Sequence, residues 1–476
     1  MSDIADRMDD HALERVPDEL RADWLKLSWN TAGIVTTLIQ LFFGALVTFA
    51  AGMRVALLSG LLVTVVGAAL GWAVGHVGCR TGQSSTLMTR EHGLGHRGSL
   101  VASLIFGFMI IGFLAIENAL LYNGFLFFLG LTDTLASKLV IYGGLTLAWI
   151  LLTAFGFQLV ARVSSIVLIL FLCVLAWMLS RIVAQSPHEI ASLVSFPAQL
   201  PAGSREAMGI HSTADAYIFC INVLIGSAGA LALVDGDFGR YARSSRDIGI
   251  AALIGNVAMS VCMLAIGGIV MYAGFDAVVS FYVHTRGMSP AEAHAAALSS
   301  PSSIASTFVI FGGAIGAILM VLAQSKAQVL NTYSGSLALT NFFDAALGWR
   351  PGRFTFVVLA NLIGLFMLYG KLLALVQSWI TILGVLTTSL AGIIVADYFV
   401  VRRSRGSAGD AAPSPEPINW AGVITIFAGT YLAHFVLPTL LPVEFFTSLM
   451  VSLVLYPALR FTVFRPERVH LRRRPA

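Results

Sequence analysis

Lys326 lies in an otherwise apolar run from Ile304 to Tyr333, with Gln324, Ser325, Gln328 and Asn331 close by. A lysine at the centre of a membrane helix costs about 2.5–3.5 kcal/mol on insertion scales, so its ammonium must meet water, a counter-charge or a polar interior. Two readings follow. Near a helix end the side chain snorkels to the headgroups. Deeper in, it is a fixed positive charge standing where a mobile cation would bind. Glu117 and Asn118 pose the same question inside the run GFMIIGFLAIENALLYNGF. They form either a structural pair, with the acid hydrogen-bonded between helices, or a site for a substrate or a proton. Phe113 precedes Glu117 by four residues and so shares its helix face. A ring and a carboxylate on one face suit a flat polar heterocycle, stacked on the ring and donating N–H groups to the acid.

Other chemistries are weakly represented. Gly93-Leu94-Gly95-His96-Arg97-Gly98 fits the GxGxxG spacing. No strand precedes it and no βαβ unit surrounds it, so it reads as a turn rather than a dinucleotide site. His92 and His96 are hemmed by glycine and make a poor metal pair. The cysteines Cys79, Cys173, Cys220 and Cys262 are scattered without CxxC spacing, which argues against a zinc site or a disulfide framework. No metal and no cofactor is expected. The formal charge of +4 needs no nucleic-acid partner, because the arginines cluster beside the ends of apolar runs.

The elements that must hold these residues are membrane helices. Hydrophobic residues make up 57% of the 476 positions, charged ones 11%, and the mean hydropathy is +0.84. Apolar runs near the ~20 residues needed to cross a bilayer recur throughout. They are continuous and do not alternate, which argues against a β-barrel. About twelve spans are expected, at 27–51, 55–78, 99–129, 139–157, 163–184, 214–234, 248–273, 304–333, 354–370, 372–395, 418–437 and 443–462. With the N-terminus inside, the inner segments carry 22 Lys and Arg and the outer ones 6, a split that favours both termini in the cytoplasm. Residues 1–26 read as a polar cytoplasmic tail without the apolar core of a signal peptide. The remaining divisions are a first five-helix repeat at 27–184, an outer loop at 185–213, a second repeat at 214–395, a cytoplasmic linker at 396–417, two last helices at 418–462 and a tail at 463–476.

Span six holds Gly226-Ser227-Ala228-Gly229, and span one holds Thr36, Thr37 and Gln40 between Gly33 and Gly44. Small residues of this kind serve close helix packing. In corresponding spans of two repeats they also mark interrupted helices around a midplane site. Asp237 to Arg243 reads as a solvated cytoplasmic charge run or as part of an inner gate.

Several stretches resemble one family. Gly78-Cys79-Arg80-Thr81-Gly82 and Gly95-His96-Arg97-Gly98-Ser99 are similar to the loop between helices two and three of the nucleobase–cation symporter-1, or purine–cytosine permease, family. Asp237–Arg243 resembles its loop after helix six. Ile394-Val395-Ala396-Asp397-Tyr398-Phe399 with Arg402-Arg403, and then Ile418-Asn419-Trp420, resemble the end of helix ten and the start of helix eleven. The resemblance implies an all-α polytopic membrane fold, LeuT-like, of two inverted five-helix repeats plus two C-terminal helices. It also implies a substrate between helices one, three, six and eight, and sodium between helices one and eight. The hydroxyl pair the family offers to sodium aligns with Ser325-Lys326. Ile110 and Phe113 stand where cytosine permeases have a glutamine and a tryptophan, Ala228 replaces a helix-six aromatic, and Glu117 replaces a small residue.

The expectation is a non-enzymatic permease that imports a nitrogen heterocycle of the purine, cytosine, hydantoin, allantoin or vitamin-precursor class by alternating access across the inner (plasma) membrane. Gln40, Phe113, Glu117, Asn118, Ser227, Gln328 and Asn331 are the candidate substrate contacts, and Ser325 and Lys326 the ion-coupling residues. A mobile cation ~4 Å from the Lys326 ammonium would be repelled by about 4 kcal/mol at an effective dielectric of 20. Coupling to a proton, or none, is therefore favoured over sodium. A sodium-coupled symporter of the same class is the alternative, ahead of a membrane-embedded enzyme or a channel.

Overall fold

A computed structural model describes residues 11–154, 157–299, 303–369, 376–405 and 416–465. The N-terminal tail before residue 11, residues 406–415 of the 396–417 linker and the C-terminal tail beyond residue 465 lie outside the described residues. α1 (Trp24–Val35) and α2 (Leu38–Ala51) are halves of a first span bent by 61°. α3 (Met53–Thr81), the short α4 (Ser85–Met88), α5 (Ser99–Leu129), α6 (Leu135–Thr153) and α7 (Phe157–Ala184) follow. The small helices α8 (Ile190–Leu193) and α9 (Ala202–Ala207) lead to α10 (Thr213–Gly239). α11 (Ser245–Ala252), a π-helical stretch Leu253–Met259 and α12 (Ser260–Arg286) form one rod of 42 residues. α13 (Pro290–Ser299) and α14 (Ser303–Gly312) precede α15 (Ala314–Leu347) and α16 (Arg353–Tyr369). α17 (Val376–Ala396) ends in a π turn, Asp397–Arg402, and α18 (Trp420–Tyr431) in another, Leu432–Val436; α19 (Glu444–Thr462) completes the bundle. Among the described residues nine helices cross a bilayer by length and composition as single pieces. Counting each of two bent pairs, α1–α2 and α13–α14, as one span gives eleven, beside an expected count of about twelve, and α16 and α18 are shorter apolar helices.

The first span breaks where its sequence offers two consecutive β-branched hydroxyl residues. The Thr36 hydroxyl donates back to the Ala32 carbonyl at 2.7 Å, and Thr37 caps α2 by accepting the Gln40 amide at 3.4 Å. Both side chains thus take over main-chain partners, which is how threonine competes with a continuous helix.

Several expected boundaries change, among them the seventh span, which runs to Arg286 rather than 273, and two of the changes bear on the site. The sequence expectation for the eighth span is 304–333, with Lys326 near its end. Gly313, at φ 53°, separates α14 from α15, and α15 then runs 34 residues to Leu347. Positive φ is open to glycine at little steric cost. Lys326 is therefore the thirteenth residue of a long helix, deep in the bundle. The sixth span, expected at 214–234 with a break at its glycines, is an unbroken helix to Gly239. Its glycines serve close approach instead. A Cβ on Gly384 of α17 would stand 2.7 Å from Gly226 Cα, and one on Gly229 would stand 2.6 Å from the Thr387 hydroxyl. Extending α10 also brings Asp235 inside a span.

The core is a set of helix pairs. α3 lies along α10, α5 along α15, α2 along α12, and α15 along α7. The motif residues clamp one end of this bundle. The Asp397 carboxylate accepts from Arg402 Nε at 3.0 Å and from the Tyr456 hydroxyl at 2.6 Å, and it pairs with His92 Nδ1 at 3.2 Å. The Arg97 amide donates to the Pro417 carbonyl at 2.7 Å, which ties the GxGxxG-like turn to the start of α18. Asp237 and Arg240 are buried, so the run after helix six is not a solvated face. Asp237 accepts the Ser85 amide at 2.8 Å, while Arg240 donates to the His11 carbonyl at 3.0 Å and to the hydroxyls of Tyr241 and Tyr333.

Candidate functional site

Lys326 is fully buried, which excludes the snorkelling reading. Its Nζ donates to the Thr36 carbonyl and, at 2.9 Å, to the Ala323 carbonyl of its own helix. It also lies 4.3 Å from the ring centroid of Phe171 on α7, a cation–π contact. The Thr36 carbonyl is available because the first span breaks there. The carbonyls at the end of α1 carry the negative pole of that half-helix. The ammonium thus acts as a built-in cap for the broken helix.

Thr37, the other residue of the break, shares a cavity wall with Glu117 of α5. Asn331 Nδ2 donates to Glu117 Oε2 at 3.2 Å, and Gln324 Nε2 donates to the Glu117 main-chain oxygen at 3.0 Å. Lys326 and Glu117 sense each other's charge from the two sides of the break, without a direct ion pair. One turn along α15, Gln328 Nε2 donates to Asn118 Oδ1 at 2.8 Å and to the Leu114 carbonyl at 2.9 Å. Trp149 Nε1 on α6 donates to the same Asn118 oxygen at 2.9 Å.

A cavity of about 410 Å³, counting the space at its mouth, opens beside this network. Thr37, Gln40, Phe113, Glu117, Asn331 and Leu231 are on its wall. Of the residues singled out from sequence, Gln40, Phe113, Glu117 and Asn331 therefore share one space. Asn118 and Gln328 lie off that wall, bonded to each other. Ser325 is buried beside Lys326 and makes a long 3.5 Å bond to the Leu322 carbonyl. The Ser227 side chain lies outside the described residues. Ala228 belongs to a neighbouring cavity.

Sequence reasoning missed Trp379 of α17. Its ring meets Phe113 edge-on, with centroids 5.4 Å apart and planes at 81°, and its Nε1 is buried without a partner. A tryptophan in an otherwise aliphatic span was the available signal. Trp149, which anchors the network, was also missed, and Gln324 was noted only as a polar neighbour of Lys326. Among the described residues no group of three or more His, Cys, Asp or Glu is placed to hold a metal ion. The arrangement offers a ring face, a carboxylate, amide groups and one fixed ammonium at a helix break.

No family model matches the chain. A curated relative, the hydantoin permease of Microbacterium maritypicum, is 25% identical over 150 residues, which is 30% of this chain and 29% of that permease. The match therefore spans less than a third of the relative's length. Among solved structures, Mhp1, described as a nucleobase-cation-symport-1 family transporter in a closed conformation with bromovinylhydantoin bound, superposes with a TM-score of 0.70 at 16% identity, over 94% of this chain and 95% of that one. The inward-facing conformation of Mhp1 gives 0.65 at 15%, over 96% and 97%. A substrate-bound, outward-open Na⁺-coupled sialic acid symporter gives 0.59 at 14%, over 96% and 92%. The chain has the LeuT-type, multi-pass helical fold of these transporters, as its sequence motifs led one to expect.

Proposed function

We propose that the protein is a secondary transporter that moves a nucleobase, hydantoin or related nitrogen heterocycle by alternating access, without sodium coupling. The observation that carries this reading is the Lys326 ammonium on the Thr36 carbonyl, at the break of the first span and beside a cavity of about 410 Å³. A carbonyl freed by a helix break is the kind of ligand a transporter offers to a metal cation. Here a tethered amine already uses it. A sodium ion ~4 Å away would meet about 4 kcal/mol of repulsion at an effective dielectric of 20.

In the cavity, Phe113 stacks on the substrate ring, the Glu117 carboxylate accepts its N–H groups, and Gln40 and Asn331 complete the polar contacts. Asn118 and Gln328 hold α5 against α15 and support Glu117 and Asn331 from behind. The hydantoin named for both the permease relative and Mhp1 supports the heterocycle class. The family resemblance in the Asp397 and Gly95–Ser99 stretches supports placement with the nucleobase–cation symporters. The arginine asymmetry supports an inner-membrane protein with cytoplasmic termini.

The test is uptake into proteoliposomes of labelled cytosine, uracil, adenine, hydantoin, allantoin and thiamine precursors, with and without a sodium or a pH gradient. Saturable uptake of one of them, indifferent to sodium, is the expected result. Unsaturable flux would indicate a channel. Sodium-driven uptake would indicate a symporter of the ordinary coupled type.

A further inference from the structure

Asp235 is an ionisable group in the membrane interior that the reading above does not use. Asp235 lies on α10 four residues before the end of the helix, and it is fully buried. Its Oδ2 accepts from Asn256 Nδ2 at 2.6 Å. Its Oδ1 has no partner, and neither has Oδ1 of Asn256. Two buried acceptor oxygens thus lie in one hydrogen-bonded pair with no donor to share. Buried polar atoms are nearly always satisfied, and two acceptor oxygens in one bonded pair are satisfied most simply by a proton on the carboxylate. What both atoms lack is a positive hydrogen.

Among the described residues no lysine, arginine or histidine bonds to Asp235, whose side-chain partner is Asn256. On α3, Gly71 and Gly75 lie against α10 at this level, His76 Nδ1 bonds the Ser245 hydroxyl at 2.7 Å, and Arg80 is exposed at the helix end. On α10 itself, Asp237 takes the Ser85 amide and Arg240 turns to Tyr241 and Tyr333. On α11, Asp247 bonds Ser244 and the Trp24 amide, and Arg246 is exposed. Glu117 of α5 sits in the first cavity, whose wall includes Val234, and Glu444 of α19 is paired with His434. From α1, the group that reaches the π-helical stretch is the uncharged Thr31.

The pair is also connected to the substrate cavity. Asn256 belongs to the π-helical stretch Leu253–Met259, and such turns recur at functional sites. It lines a second cavity, of about 430 Å³, together with Gln40, Leu231 and Ser260. Gln40 and Leu231 are on the wall of the first cavity as well. Leu231 is one helical turn before Asp235, on the same face.

We propose that Asp235, held by Asn256, is the residue that takes up and gives back the coupled proton of the transport cycle. On uptake an O–H bond forms at Asp235 Oδ1, and on release the same bond breaks. No electrons move and no other reactant is needed. Gln40 and Leu231 carry the state of this site to the substrate. The proposal rests on the transporter reading and adds the identity of its driving ion and the seat of that ion.

The test uses the full-length protein in lipid. Infrared difference spectra over a pH titration should show the carbonyl stretch of a neutral carboxylic acid, lost in Asp235→Asn and displaced in pH in Asn256→Ala. In proteoliposomes, a gradient of about one pH unit should drive roughly tenfold accumulation of labelled heterocycle at one proton per substrate. Asp235→Asn should exchange the same label without accumulating it. Persistence of the band, or of gradient-driven accumulation, in Asp235→Asn overturns the proposal. If Asp235→Asn does not fold, an Asn256→Ala titration identical to wild type overturns it. A wild-type protein that moves none of the labels defeats the transporter reading instead, and the infrared band still reports on Asp235.

Discussion

The ammonium of Lys326 on α15 donates to the main-chain carbonyl of Thr36, 290 positions earlier, at the bend between α1 and α2. One side chain thereby caps a broken helix and holds a positive charge at its negative end. Replacing it with methionine keeps the bulk and removes the donor. A buried carbonyl left without a partner costs about 1–3 kcal/mol, so Lys326→Met should melt earlier in detergent, as a thermal shift assay would record. Lys326→Thr restores an oxygen at that position. It should gain a sodium-dependent rise in melting temperature that neither wild type nor the methionine variant shows.

Phe113 presents its ring to the cavity and is braced edge-on by Trp379. Stacking of a base on an aromatic side chain contributes about 1–3 kcal/mol, so Phe113→Ala should weaken heterocycle binding roughly 5- to 150-fold. Phe113→Tyr should stay near wild type. Equilibrium binding of labelled substrate to membranes checks both.

Asn118 and Gln328 behave differently from their cavity neighbours because their polar atoms are already used, by each other and by Trp149. Gln328→Ala removes two buried hydrogen bonds, to Asn118 Oδ1 and to the Leu114 carbonyl, and should cost about 1–3 kcal/mol of stability. The substrate affinity of the folded fraction should remain within a few-fold of wild type. Gln40→Ala should do the reverse, lowering affinity with little change in melting temperature.

Gly229 tests the unbroken α10. A methyl group there would stand 2.6 Å and 2.7 Å from the hydroxyls of Thr387 and Thr388 on α17. Overpacking of this kind costs about 1–3 kcal/mol, so Gly229→Val should lower the yield of monodisperse protein. Pairing it with Thr387→Ala and Thr388→Ala should recover part of the loss.

The helical membrane fold and the interior placement of Glu117 were legible because lipid permits so few places for a charge, whereas the depth of Lys326 was not, since nothing in the run to Tyr333 showed that the helix continues to Leu347. The break in the first span was legible in Thr36-Thr37. The same logic misread the sixth span, since glycines that let helices touch look identical to glycines that interrupt them. It also ended that span at Val234 and so left Asp235 outside. The partition of polar residues between the cavity and the helix interface could not be read, because Glu117 and Asn118 are neighbours in sequence. Only the packing of α15 and α6 sends one carboxylate to the cavity and the adjacent amide to Trp149.

The seat of Lys326 is tested most directly by titrating wild-type protein with its transported heterocycle in sodium and in choline buffers, by calorimetry. The account predicts one dissociation constant in both buffers, and no heat when sodium alone is added. Tighter binding in sodium, or a saturable sodium heat abolished by choline, would contradict it.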